Sequence, residues 1–215
     1  MPVTTLVDKA AAQPPAGSKP AQIIAAAKEL FTSQGFGATS MDAIARTANV
    51  SKATLYAHFS GKEELFAAMV SGECRTQSRM LCAPDLDDHT LPEALAEIGR
   101  NFLGLLLSRQ AIAVFRIVVA ESTRFPELGR IFFDSGPNQM RESLADYLQK
   151  AAGRGQLVIE DSYRAAEHLI GMLQTPVHMR VLFGIKDHFT QGEVEQVVAD
   201  AISAFLRAYL PRQQG

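Results

Sequence analysis

The sequence predicts an all-α fold, and three observations carry the prediction. Apolar residues recur at i, i+3/i+4 spacing along most of the chain, as in amphipathic helices. Ser60-Gly61-Lys62-Glu63, Thr90-Leu91-Pro92-Glu93 and Thr190-Gln191-Gly192-Glu193 each place a hydroxyl three residues before a glutamate, the spacing of a capping box at a helix start. No stretch gives a convincing alternation of apolar and polar residues, so no strand is expected. On this reading the chain holds about nine helices: an N-terminal bundle of three, then a longer helical domain.

Composition narrows the class. The 215 residues suffice for a sizeable core and one or two domains. A hydrophobic content of 47% with mean hydropathy near zero is that of a soluble globular protein. With a net charge of −2, any basic surface must be local. Cys74 and Cys82 fit neither a zinc site nor a CxxC motif, and two cysteines make no disulfide scaffold. Eight residues apart on one helix, they are also too distant to bridge each other. They are read as packed or idle thiols. The first twenty residues lack the apolar segment of a signal peptide. The longest apolar run, 111–120, is interrupted by Arg116 and too short to span a bilayer. A cytoplasmic protein is expected.

Residues 1–19 are rich in Ala, Pro, Thr and Gln, and Pro14-Pro15-Ala16-Gly17-Ser18 can neither continue a helix nor fill a core, so a mobile arm is expected. From Pro20 onward, Ile23, Ile24, Ala27, Leu30 and Phe31 share one helical face, and Gly35 is the expected C-terminal cap. Ser40 is an N-cap, followed by Met41, Ile44, Ala45 and Ala48 on one face. Asn49 tolerates the left-handed backbone that ends this helix and turns the chain. Val50 plugs the angle, and Ser51 caps a helix over 52–58. Two helices this short cannot stand alone; helix 20–34 is their support. The next helix, with Leu65, Phe66, Met69 and Val70, starts at the Ser60 box and runs to residue 80.

Pro84-Asp85-Leu86-Asp87-Asp88-His89 is a loop of turn residues. The helix after Thr90 carries Leu95, Ile98, Phe102, Leu105 and Leu106. Segment 110–122 is apolar on nearly every side and reads as an interior helix. Phe125-Pro126 starts a new direction, leading into a bulky cluster of Ile131, Phe132 and Phe133. A helix over 137–152 then buries Met140, Leu144, Tyr147 and Leu148 and stops at Gly153-Arg154-Gly155. Asp161 caps a helix with Ala166, Leu169, Ile170 and Leu173 on one face, which Pro176 kinks or splits before 178–183. The last helix bears Val194, Val197, Val198, Ala201, Ile202, Phe205 and Leu206.

Residues 39–65 have the layout of a DNA-binding helix-turn-helix, whose second helix enters the major groove. That helix presents Lys52, Thr54, Tyr56 and His58 outward. Lys52 can hydrogen-bond guanine O6 or N7, and Thr54 can bond a base edge or touch a thymine methyl. Both also suit phosphate. His58 is equally well explained by a local hydrogen bond; for Tyr56 DNA contact is the favoured reading, with ring packing as the alternative. Lys62, beside Gly61 at a helix N-terminus, is placed to clamp a phosphate. Thr39, Ser40 and Ser51 add hydroxyl or backbone contacts, although capping alone explains the two serines. Residues 19–65 carry five Lys/Arg against four Asp/Glu, so affinity needs two copies acting together.

Three blocks then carry a family resemblance: Ala38-Thr39-Ser40-Met41-Asp42-Ala43-Ile44-Ala45, Val50-Ser51-Lys52-Ala53-Thr54-Leu55-Tyr56-Ala57-His58-Phe59 and Lys62-Glu63-Glu64-Leu65. Here the chain closely resembles TetR/AcrR-family transcriptional regulators, with Asn49 in place of the glycine common at the turn. Phe115-Arg116-Ile117-Val118-Val119-Ala120-Glu121 and Arg124-Phe125-Pro126-Glu127-Leu128 resemble the AefR-like C-terminal subgroup. The resemblance spans about residues 20–210 and implies a DNA-binding domain over 20–65. It implies a C-terminal ligand-binding and dimerisation domain over 66–210. It also implies a homodimer through the last two helices, with Tyr56 and His58 as phosphate contacts, and a fourth helix that moves on effector binding. The function to expect is a repressor released from a palindromic operator by a small hydrophobic effector. A constitutive DNA-binding dimer and an activator are the alternatives.

Candidates for the effector pocket are Phe66, Phe102, Phe115, Phe132, Phe133, Met140 and Met172, each of which ordinary core packing also explains. Arg116, the lone charge in an apolar helix, needs a partner such as Glu121 or Glu97, or faces an acidic ligand. His168, His178 and His188 are ten residues apart, which puts them on different helices or faces, so no metal is assigned. No GxSxG, P-loop, GxGxxG or HExxH motif occurs, so neither enzymatic activity nor a cofactor is expected.

Overall fold

The computed structural model describes residues 14–15, 17–81 and 89–211, with side chains for all of these except 73–81. The expected arm over 1–19 and the loop over 84–89 fall largely outside the described residues, as do the side chains of Cys74 and Cys82. Among the described residues every regular element is a helix. In chain order they are α1 Lys19–Gln34, α2 Met41–Thr47, α3 Lys52–His58, α4 Lys62–Leu81, α5 Leu91–Leu106, α6 Arg109–Glu121, α7 Pro126–Ser135, α8 Pro137–Gly153, α9 Ser162–Gln174, α10 His178–Leu182 and α11 Gln191–Tyr209. Beyond the expected set is α7, which absorbs the Ile131–Phe133 cluster; α10 is the segment over 178–183 that Pro176 splits off, the second of the two alternatives read there.

The helix starts follow local chemistry. Thr190 accepts from the Glu193 N–H at 3.3 Å while Glu193 accepts from the Thr190 N–H at 2.9 Å, a complete capping box. At Thr90 the carboxylate of Glu93 receives both the backbone N–H (2.9 Å) and the hydroxyl (2.6 Å). Asp161 accepts from the Arg164 N–H at 3.0 Å. The box at Ser60 is shifted by one residue. Glu64, not Glu63, accepts from the Ser60 N–H (2.7 Å) and hydroxyl (2.8 Å), because α4 begins only at Lys62.

The chain forms two compact units. The first consists of the described part of Met1–Thr76 together with Ala113–Asn138, and the second of the described parts of Gln77–Ile112 and Gln139–Gly215. In the first unit, α1, α2, α3 and the start of α4 enclose Ile23, Ala27, Phe31, Phe36, Ile44, Leu55, Leu65 and Phe66. Val114, Ile117, Val118, Leu128 and Ile131 from α6 and α7 belong to the same core. In the second unit, α11 packs against α5 and α9, and α9 against α5. Its core includes Leu95, Ile98, Phe102, Leu144, Leu148, Leu169, Leu173, Val198 and Phe205. A Cβ on Gly99 of α5 would lie 3.3 Å from both Leu173 Cδ2 and Val198 Cγ1, so this glycine allows three helices to approach closely.

Segment 110–122 corrects an expectation. Arg116, Val119 and Ala120 of α6 are exposed, while Val114, Ile117 and Val118 are buried. The helix is therefore one-sided, and Arg116 sits on its open face.

Candidate nucleic-acid interface

The reading unit is assembled from short helices with firm ends. Gly35 stops α1 at φ 85°, and its N–H donates to the Phe31 carbonyl. The Ser40 hydroxyl accepts from the Ala43 N–H at 3.1 Å and starts α2. Asn49 has φ 52°, the one non-glycine with positive φ among the described residues. Directly after it, the Val50 N–H returns to the Ala45 carbonyl at 3.0 Å. The Ser51 hydroxyl accepts from the Thr54 N–H at 3.0 Å and lies 2.8 Å from the Thr54 hydroxyl. Leu55 is fully buried and anchors α3. The result is a seven-residue α3 with one buried position and an open outer face.

That face carries Lys52, Tyr56 and His58, all exposed, with Tyr56 at 53%. An apolar ring left this open on a small unit lacks an internal packing role. Thr54 is half-buried, its hydroxyl beside that of Ser51. Lys52 is paired with a residue that sequence reasoning missed: its Nζ lies 2.6 Å from Asp42 Oδ2 in the first turn of α2. A ten-residue separation carries no helical-spacing signal, so only the helix-turn-helix fold brings the two together.

Two site residues are corrected. Thr39 is buried, and its hydroxyl donates to the Gly35 carbonyl at 2.8 Å, so its side chain is part of the fold and not of the outer face. Lys62 does not stand free at the α4 terminus. Its ammonium donates to the carbonyls of Phe36 (2.9 Å) and Gly37 (3.4 Å) and lies 4.7 Å above the Phe36 ring. It ties α4 to the loop after α1, because those carbonyls and that ring outcompete solvent for a half-buried cation.

The effector candidates divide between the units. In the first, Phe66 is fully buried against Phe31 and Phe36, with centroids 6.2 and 5.8 Å away. Phe115 meets Phe132 edge-on at 5.8 Å, while Phe133 and Arg116 are exposed. In the second, Phe102 and Met140 lie in the core and Met172 is exposed. Neither unit gathers all eight. Phe66, Phe102 and Met140 are core because their helical faces point inward. Glu121, offered as a partner for Arg116, accepts instead from the Gly37 N–H at 2.9 Å. Glu97 lies 3.7 Å from His89. Of the histidines, His168 is 2.6 Å from the Tyr209 hydroxyl, and the buried His178 is 3.2 Å from Gln174.

A helix-turn-helix whose second helix projects an open polar and aromatic face, joined to a separate helical unit, defines a DNA-binding transcriptional regulator. The chain belongs to the TetR family of bacterial regulatory proteins: residues 23–69 match the family's N-terminal profile, and residues 93–211 match the AefR-like transcriptional repressor C-terminal domain. It is 40% identical to the solved structure of the flavonoid-responsive regulator FrrA, covering 92% of this chain and all of that one, with a TM-score of 0.81. A TetR-family regulator from Mesorhizobium loti is 31% identical at TM-score 0.81, covering 90% of this chain and 97% of that one. The HTH-type regulator YvkB of Bacillus subtilis is 29% identical over 175 residues, 78% of this chain and 80% of YvkB. Members of this family regulate transcription and are not enzymes; they bind DNA operators and act as dimers. Among the described residues no single helix is long and apolar enough to cross a membrane.

Proposed function

We propose that this protein is a ligand-responsive repressor that binds a palindromic operator as a homodimer and is released by a small hydrophobic effector. The observation that carries the reading is the match of residues 93–211 to an AefR-like repressor domain behind a helix-turn-helix. Lys52, Thr54, Tyr56 and His58 of α3, with Ser40 and Ser51 at the helix starts, form the DNA face of residues 20–65. Residues 66–210 form the effector and dimer domain. Dimerisation runs through α9 and α11. Exposed Met172, together with Met179, Phe183 and Ile185 between these helices, supports an apolar surface that a second copy would cover. FrrA, similar along its whole length, is named for its response to flavonoids. Planar polyphenols are therefore the first effectors to test.

The test titrates the purified protein against duplex DNA from upstream of its own gene, with and without a flavonoid series. Lys52→Ala with Tyr56→Ala should weaken binding at least tenfold and make the salt dependence shallower by about one unit. Unchanged binding by the double variant would remove α3 as the DNA face. Binding that no compound weakens would leave a constitutive dimer, since release requires different effector affinities in the two states.

A further inference from the structure

The corner between α6 and α7 reaches back to the loop that precedes the helix-turn-helix. After α6 ends at Glu121, the N–H groups of Arg124 and Phe125 return to the Glu121 carbonyl at 3.0 and 2.8 Å, folding the chain into a tight turn. The Glu121 carboxylate then accepts the Gly37 N–H at 2.9 Å, across 84 residues. A Cβ on Gly37 would lie 3.2 and 3.3 Å from the two carboxylate oxygens and 3.4 Å from the Arg124 guanidinium. On Gly35 it would lie 3.2 Å from Glu121 Oε1. The loop approaches this closely because both positions lack a side chain. Phe125 completes the contact, meeting Phe36 edge-on at 5.2 Å. The Lys62 ammonium lies 5.9 Å from the Phe125 ring while it donates to the Phe36 and Gly37 carbonyls.

These residues come from both halves of the family match. Phe36, Gly37 and Lys62 lie within 23–69, whereas Glu121 and Phe125 lie within 93–211, yet all belong to the first compact unit. The loop they grip leads through Thr39, whose hydroxyl is fixed to the Gly35 carbonyl, directly into Ser40, the N-cap of α2. A charged acceptor on one loop N–H is among the stronger single hydrogen bonds in a protein. Its position on the entry loop lets it set where α2 starts.

We propose that Glu121–Phe125 is a clasp that positions the helix-turn-helix, with Glu121 as the positioning residue, so that the C-terminal region sets DNA affinity through the Gly35–Thr39 loop. This rests on the DNA-binding reading above. The test uses the full chain with Glu121→Ala, Glu121→Gln and Phe125→Leu. It measures anisotropy on the upstream duplex and residue-resolved amide exchange. Glu121→Ala should bind about tenfold more weakly, and Glu121→Gln, which keeps an acceptor, within about threefold of the parent. Phe125→Leu should fall between them. Exchange in Glu121→Ala should quicken over residues 37–48 and stay unchanged in α5, α9 and α11. Parent-like affinity in Glu121→Ala, or equal loss of protection in α9 and α11, would overturn the clasp alone. A parent that binds no duplex, with its loop still protected, would overturn the DNA-binding reading and the clasp's role together.

Discussion

The first unit's core is built around a connected group of rings, whereas the second, which also buries Phe102 and Phe205, packs mainly aliphatic side chains. Phe31, Phe36, Phe66 and Phe125 form a connected aromatic group in the first, with centroid separations from 5.1 to 6.2 Å. The second packs mostly Leu, Ile, Val and Ala along long helices that meet at Gly99. The contrast follows from helix length. α2 and α3 have seven residues each, so each offers only one or two inward positions. The missing volume must come from large side chains and from α6 and α7. α5 and α11, with 16 and 19 residues, can interdigitate along several turns, where small residues at the crossings serve better.

The comparison can be broken at either end. Phe31→Ala empties a fully buried ring position and should cost ~3–5 kcal/mol, read as a lower urea midpoint with loss of exchange protection in α1–α3 before α9 and α11. Uniform loss would show one cooperative core, and the contrast between the units would fall. Gly99→Leu should overpack the second unit by ~1–3 kcal/mol, with exchange rising first in α5, α9 and α11. Asn49→Ala, placed at φ 52°, should cost ~1–2 kcal/mol in a thermal melt, whereas Asn49→Gly should be tolerated. A parent-like melt for Asn49→Ala would mean that the turn is not strained.

The smallest effects are pH-dependent and belong to the second unit. Burial pushes the His178 pKa down, so the folded chain takes up this proton less readily than the unfolded chain. As pH falls below the unfolded value of ~6.5, the unfolded chain gains a proton that the folded chain resists, and stability drops. Glu193 is held down to about 2 by its bonds to Lys186 and Thr190. Its contribution is complete above its unfolded value and disappears as pH falls from there towards about 2. Urea midpoints against pH should show both steps, and His178→Gln should remove only the upper one. Retention of the upper step in that variant would assign it to another group.

Much of the reading unit was legible because its signals are local. Ser40, Ser51 and Asn49 act on backbone groups within a few residues, and Gly35 ends its helix at the expected place. Thr90, Asp161 and Thr190 mark helix starts for the same reason. α7 was harder to foresee, since fewer than three turns give too few periods to establish a face. Segment 110–122 misled because Val119 and Ala120 are apolar yet exposed; composition cannot say which side of a helix finds a partner. Lys62 misled because its carbonyl and ring partners lie 25 and 26 residues away. The effector candidates were the least legible, since an inward Phe looks the same in a core as beside a ligand.

By itself the sequence determined the all-helical class, the helix-turn-helix and the family, because periodicity, caps and turn residues operate within a few positions of one another. Tertiary structure alone decided that Asp42 holds Lys52, that Thr39 turns inward, and that α6 and α7 complete the core of the reading unit. It also brought Glu121 to Gly37. Contacts between residues far apart in the chain depend on the packing angles of whole helices, and no local pattern encodes those angles.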